Sequence, residues 1–107
     1  MDKPRVKVPK VVTAGEPFEV KVLISHRMES GQRVDETTGE TVPRMIINRF
    51  EARFDDELVF SATLYPAVSA NPYLAFHVVT THSGELRFTW SDDSGDSATA
   101  TARVTVG

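Results

Sequence analysis

The sequence predicts an all-β protein, an immunoglobulin-like antiparallel β-sandwich of about seven strands. Apolar and polar side chains alternate with a period of two along most of the chain, as they do in strands that show one side to solvent. Turn-forming residues separate these runs at a spacing of roughly 10–15 residues, and no segment shows the period of an amphipathic helix. The 107 residues are the usual size of one domain, so we expect a single domain over 1–107.

The N-terminal half contains three predicted strands. The first is short and covers Val6 to Pro9. The second lies in "EPFEVKVLIS", where one face carries Phe18, Val20, Val22 and Ile24. The third lies in "MIINRFEARF", where alternation predicts that one face carries Ile46, Asn48, Phe50, Ala52 and Phe54. Ile47 therefore belongs to the opposite face in this prediction.

Four further strands are predicted in the C-terminal half. A tight turn at Asp55 to Glu57 leads into "LVFSATLY", with Leu58, Phe60, Ala62 and Leu64 on one face. The next strands are "YLAFHVVTT", "ELRFTWS" and "SATATARVTV". Trp90 shares its register with Leu86 and Phe88, so we expect it to be buried between the sheets near Phe50 or Phe60.

The last predicted strand alternates alanines with threonines, and two explanations stay open. Ala98, Ala100 and Ala102 fill little volume, so either a bulky neighbour such as Trp90 covers them or another backbone comes close. In the second case the strand lies at or near a protein interface. The threonines suit an edge strand, although no proline or lysine protects it against unwanted pairing.

Composition argues against several functional classes. The sequence contains no cysteine, so it provides no disulfide, thiolate metal site or thiol chemistry. A net charge of -3 with mixed signs does not favour nucleic acid as the main partner. No run approaches the ~20 apolar residues of a membrane span, and none resembles a signal peptide. We therefore expect a soluble chain without an export signal of its own.

No catalytic or metal-binding constellation is evident. His26, His77 and His82 share no metal-ligand spacing, and the sequence lacks a GxSxG motif. The acids of "DDSGD" lack the alternate spacing of a calcium loop, and a turn closed by Gly95 explains them better. We predict that the protein is not an enzyme and uses neither a metal nor a cofactor.

Two connecting segments are candidates for recognition. "SHRMESGQR" mixes ionic and apolar residues in the longest connection, and it either lines a contact surface or closes one end of the sandwich. Methionine adapts to several partners, and arginine is enriched in interface centres. "AVSANPYLAF" is a proline-anchored connection with Tyr73 at its end, which suits either recognition or a plain crossover between sheets.

These segments carry a resemblance to a known family. "KVLISHRMESGQR", "PRMIINRFEARF", "VFSATLYPAVSANPYLAF" and "GELRFTWSDDSG" together resemble SoxZ, a subunit of the sulfur-oxidation carrier complex. The most specific parts are Ile24 to Gly31 and Ser69 to Tyr73. Arg27 departs from the family pattern, which often has proline at that position, and this puts the stiffness of the loop in doubt.

The resemblance implies an immunoglobulin-like, non-catalytic subunit that pairs with a different chain, SoxY. In that family SoxY carries a cysteine on a mobile arm, and thiosulfate-derived intermediates stay bound there while partner enzymes act on them transiently. The resemblance also implies a periplasmic location, reached by export together with a signal-bearing partner. The alternative is a generic periplasmic immunoglobulin-like binding or protein-interaction module unrelated to sulfur.

We predict a partner-binding surface from the loop residues and from apolar residues left over once the core is assigned. We expect this surface to be large and partly apolar, so that the isolated chain is poorly soluble or forms a homodimer through it. The predicted residues are His26, Met28, Glu29, Arg33, Met45, Ile47, Val59, Asn71, Pro72 and Tyr73.

Overall fold

The computed structural model describes residues 3–24, 34–41, 45–64 and 73–107, and in these ranges the regular structure is all β. No helix in the described ranges is long and apolar enough to cross a membrane. The strands are β1 (Arg5–Lys7), β2 (Val11–Val12), β3 (Phe18–Leu23), β4 (Ile47–Phe54), β5 (Glu57–Thr63), β6 (Tyr73–Val78), β7 (Gly84–Asp92) and β8 (Ser97–Val106).

The strands form the predicted sandwich of two sheets. The smaller sheet has the order β1-β3-β6, and the larger has the order β2-β8-β7-β4-β5. Every pair of neighbouring strands is antiparallel except β2 and β8, which run parallel over two residues. The all-β sandwich predicted from the alternation is confirmed.

The N-terminal segment differs from the prediction, because two short strands replace one. β1 pairs with β3 in the smaller sheet, whereas β2 pairs with β8 in the larger sheet. Pro9 stands between them and has no backbone N–H to donate to a ladder. The chain therefore leaves one sheet here and joins the other, which gives eight strands in the described ranges.

The core lies between the sheets and is built around aromatic rings. Phe50 is fully buried, and its ring centroid lies 5.2 Å from that of Trp90, 5.9 Å from that of Phe76 and 6.2 Å from that of Phe88. Trp90 has no exposed surface. The expectation that Trp90 is buried beside Phe50 is confirmed.

Two register shifts, one in β4 and one in β5, change which side chains face the core. In the first, Asn48 is an extra residue of β4 opposite β7, between Ile47 and Arg49. In the second, Val59 is an extra residue of β5, opposite the step from Ala52 to Arg53 in β4. A bulge of this kind moves the following residues to the other face. The second shift pairs Leu58 with Arg53, and Leu58 is 44% exposed instead of facing inward as alternation predicted.

The hairpin between β4 and β5 is tied to the start of β7. Asp55 and Asp56 have φ values of 49° and 71°, which place both residues in the left-handed region. The Asp55 N–H donates to the Glu85 carbonyl at 3.0 Å, and the Asp55 carboxylate accepts from the Glu85 N–H at 3.0 Å. The tight turn predicted at Asp55 to Glu57 is therefore present and held by a tertiary contact.

Gly84 provides the space for this contact. A Cβ at Gly84 would lie 2.6 Å from Phe54 Cζ and would also collide with the Asp55 carboxylate. We expect Gly84→Ala to lower the free energy of unfolding by about 1–3 kcal/mol, as overpacking does. Urea denaturation measures this loss.

The double variant Gly84→Ala/Phe54→Leu tests whether the Phe54 ring contributes to this overpacking in addition to the Asp55 carboxylate. If the collision with the Phe54 ring is the cause, the two losses are not additive, because the shorter leucine relieves the collision. Strictly additive losses would contradict this explanation.

Candidate functional site: the loop end of the sandwich

Described residues that flank the two candidate connections lie at one end of the sandwich, together with the "DDSGD" turn. β3 ends at Leu23, which pairs with Tyr73 at the start of β6, so the chain before 25–33 and the chain after 65–72 are neighbours there. In the larger sheet, Ile47 at the start of β4 pairs with Asp92 at the end of β7, and this pair lies at the same end of the sandwich. Residues 79–83, which join β6 to β7, lie at the opposite end. We call the first end the loop end.

Buried apolar side chains close the core beneath the loop end. Ile24 and Ile46 are each 1% exposed, and Leu64 is 7% exposed. The Leu64 N–H donates to the Asn48 carbonyl at 2.8 Å, which ties the end of β5 to β4. Apolar packing and a backbone hydrogen bond thus close the described part of the loop end.

Only some of the predicted partner-binding residues lie at the loop end among the residues that the structure describes. Tyr73 is 56% exposed at the loop end, and Met45 is partly buried there. Six of the predicted residues lie outside the described residues, and their role stays a prediction: His26, Met28, Glu29, Arg33, Asn71 and Pro72.

The prediction for Ile47 is wrong about the face on which it lies. Ile47 is 0% exposed and belongs to the hydrophobic core, although alternation placed it on the outer face. The register shift that follows Ile47 allows both Ile46 and Ile47 to be buried. Ile47 is therefore a core residue, and replacing it would not leave the fold intact.

Val59 is on the surface as predicted, but it does not lie near Ile47. Its side chain is 36% exposed in the first half of β5, close to the hairpin at Asp55. Ile47 begins β4, whose last residue precedes that hairpin. The two residues are thus near opposite ends of the larger sheet and do not form a common patch.

An interaction that the sequence prediction missed holds the bulge at the loop end. Asp93 accepts hydrogen bonds from the Ile46 N–H at 3.2 Å and from Asn48 Nδ2 at 2.9 Å. The Asp93 N–H also donates to the Ile46 carbonyl at 3.0 Å. The polar Asn48 in an otherwise apolar register was the available signal, because a half-buried amide needs a partner.

The "DDSGD" segment forms a turn built on Asp92. Its Oδ1 accepts from the Ser94 N–H at 2.9 Å, from the Ser94 hydroxyl at 2.6 Å and from the Asp96 N–H at 3.1 Å. Gly95 has a φ of 88°, which favours glycine. These contacts account for the acids as parts of a turn at the loop end.

The outer face of β4 carries a short ladder of charges. Glu51 accepts from Arg49 Nε at 2.9 Å, and its second oxygen lies 3.5 Å from Arg53 Nη2. The hydrogen bond from Arg49 lowers the pKa of the Glu51 carboxyl below its ordinary value. Any stabilisation from this ladder is present above the ordinary glutamate pKa and is lost as pH falls through the lowered value. The pairing with Arg49 and Arg53 thus accounts for Glu51 as part of this ladder.

In the described ranges, no group of three or more His, Asp or Glu side chains is placed to hold a metal ion. The loop end instead combines buried apolar closure, hydrogen-bonded turns and an exposed tyrosine. These features suit contact with another protein.

Comparison with known families gives a match over nearly the whole chain. The family model described as "Sulphur oxidation protein SoxZ" matches residues 6–103. No curated protein matches the chain.

Comparison with solved structures shows the fold alone. The superoxide reductase (neelaredoxin) from Ignicoccus hospitalis is similar with a TM-score of 0.77 and 18% identity, over 99% of this chain and 81% of that chain. The CARDB domain of a Pyrococcus furiosus protein is similar with a TM-score of 0.53 and 18% identity, over 99% of this chain and 97% of that chain.

Proposed function

Because the chain belongs to the SoxZ family and is a subunit of a sulfur-oxidation Sox system, we propose that it is the non-catalytic half of a two-chain sulfur carrier. Its partner is a SoxY-like subunit whose cysteine holds thiosulfate-derived intermediates for the oxidising enzymes. One observation carries this proposal: the family match spans residues 6–103, yet the 107 residues contain no cysteine. The thiol that holds the sulfur must then belong to another chain.

The surface of the described residues supports a role in binding a partner. Large apolar side chains are exposed at Val11 in β2 (66%), at Tyr73 in β6 (56%) and at Val79 in the connection from β6 to β7 (55%). A permanent interface buries roughly 1,000 Å² or more on each chain. The whole chain exposes 6643 Å², so such an interface would cover a substantial share of it.

The proposal extends to the place of action. The complex works in the periplasm, and this subunit reaches it bound to a partner that carries the export signal. Fractionation of cells with and without the partner gene tests this step. Periplasmic recovery of this chain in the absence of the partner would contradict it.

The carrier role is tested by intact-mass analysis of the co-expressed SoxY complex after exposure to thiosulfate and the oxidising enzyme. We expect added sulfur-containing mass on the partner and none on this chain. A partner with cysteine replaced by serine is the matched control, and it should acquire no added mass. A stable adduct on this chain, or no complex at micromolar concentrations, would overturn the proposal and favour a binding module unrelated to sulfur.

A further inference from the structure

One edge of the larger sheet is open over most of its length. β8 pairs with β7 from Ser97 to Val104. On its other side, β2 pairs only with Thr105 and Val106. Among the described residues, the segment Ser97–Arg103 therefore has no strand partner on the side away from β7. We call this segment the β8 edge.

The backbone of the β8 edge is oriented for pairing. The Thr105 N–H donates to the Lys10 carbonyl at 2.9 Å, and the Gly107 N–H donates to the Val12 carbonyl at 3.1 Å. These odd-numbered residues thus direct their backbone groups away from β7. Because the direction alternates along a strand, the N–H and C=O groups of Thr99, Thr101 and Arg103 point the same way.

The side chains of the β8 edge neither block nor protect it. Ala98, Ala100 and Ala102 pack against the core but keep partial exposure, so the facing sheet does not cover them completely. Thr99 and Thr101 are exposed on the outer face. Natural edge strands usually carry lysine, proline or an inward-pointing charge against unwanted pairing, and Ser97–Ala102 has none of these.

An open groove lies at the end of the β8 edge. Its volume is about 440 Å³, and it is lined by Val6, Val8, Lys10, Ala102, Arg103 and Thr105. The groove lies where the chain crosses from β1 to β2. Its apolar lining continues the row of alanines, and two cationic side chains stand at its rim.

We propose that the β8 edge receives an extended strand of the carrier subunit, which adds to the larger sheet. Bulky apolar side chains at alternate positions of that strand fill the space beside the alanines and the groove, and an acidic residue lies next to Lys10 and Arg103. Strand addition of this kind takes affinity from backbone hydrogen bonds and specificity from alternate side chains. The proposal rests on the proposed function, because the strand belongs to the partner named there.

A second copy of this chain fits the β8 edge less well. Antiparallel self-pairing about Ala100 would set Ala98 of one copy opposite Ala102 of the other. Small side chains would then face small side chains, and the space beside the inner face would stay unfilled. A heterologous strand with larger apolar residues fills it.

Proline substitution at two matched edge positions tests the proposal. Thr101→Pro removes an N–H that points to the open side, while the ladder to β7 keeps its donors. Ser61→Pro is the matched control on β5, the opposite edge of the same sheet. The Leu64 N–H donates to Asn48 in β4, so the Ser61 N–H points away from β4.

The readouts are the dissociation constant of the SoxY complex and hydrogen exchange of wild-type amides with and without SoxY. We expect Thr101→Pro to weaken the complex by about tenfold or more, since edge hydrogen bonds and register are lost, while Ser61→Pro changes it by less than about twofold. In the wild-type chain, the amides of Thr99, Thr101 and Arg103 should become protected in the complex.

Three results would overturn the proposal in distinguishable ways. Suppose that the wild-type chain forms the complex, that these amides stay unprotected and that both variants bind with the same affinity. The β8 edge is then not the binding site for SoxY, and the proposed function is unaffected. No complex with the wild-type chain rejects the proposed function, and the edge proposal with it. If the isolated chain forms a homodimer that Thr101→Pro dissociates, while SoxY binding is unchanged, the β8 edge binds a second copy of this chain and not the carrier subunit.

Discussion

Trp90→Ala is expected to destabilise the domain by about 3–5 kcal/mol, as large aromatic truncations in cores do. Trp90 is fully buried, and its ring centroid lies 5.2 Å from that of Phe50 and 6.4 Å from that of Phe88. Its neighbour across the ladder is Ala98, which is too small to fill the cavity. Against a total of about 5–15 kcal/mol, this loss removes much of the stability of the domain. Urea denaturation followed by circular dichroism measures it.

Trp90→Phe separates the contribution of side-chain packing from the contribution of the indole N–H. Among the described residues, the buried Trp90 Nε1–H has no acceptor. Phenylalanine keeps most of the ring contacts and removes that unpaired donor, so the loss should stay below about 2 kcal/mol. Equal losses for the alanine and phenylalanine variants would contradict the view that packing, and not a polar contact of the indole, makes Trp90 important.

Ile47→Asp is expected to destabilise the domain by about 4 kcal/mol or more. The substitution removes a side chain that is 0% exposed and places a carboxylate in the core, where it must be neutralised or draw in water. Ile47→Val, which keeps the shape and apolar character, should cost only about 0.5–1.5 kcal/mol. Denaturant midpoints of the two variants give the comparison.

Val59→Asp is the matched surface control for the charge. Val59 is 36% exposed on β5, so its carboxylate reaches solvent, and the loss should stay within about 1 kcal/mol. If Ile47→Asp and Val59→Asp were equally stable, Ile47 would not belong to the core, and the outer-face position predicted from alternation would be restored.

The sequence alone predicted the fold class and the centre of the core. Alternation with a period of two predicted strands that correspond to β3 through β8, and it placed Phe50 and Trp90 on inward registers. This succeeded because a strand half buried in a sandwich must direct apolar side chains to one face. The resemblance of the loop segments to SoxZ was likewise available from the residues, and the family match confirms it.

The sequence predicted less of the candidate site. It singled out connections whose described flanking residues lie at the loop end, but it could not place those flanking residues relative to one another. The hydrogen bonds from Ile46 and Asn48 to Asp93 join residues more than forty positions apart, so the polar Asn48 indicates that a partner is needed but not which residue it is. Such contacts depend on which strands become neighbours, and that is a property of the assembled sheet.

The amino-acid sequence by itself determined that this chain is an all-β member of the SoxZ family without a thiol of its own. Only the tertiary structure decided which faces are inside at the irregular positions. A register shift in β4 buries Ile47 next to Ile46, because a bulge breaks the alternation on which the prediction depended. The crossing at Pro9 likewise gives β8 only two paired residues in β2, and so leaves the alanine–threonine segment without a strand neighbour among the described residues. Both outcomes depend on how strands meet across the sheet, since a pattern along one strand does not specify the register of its neighbours.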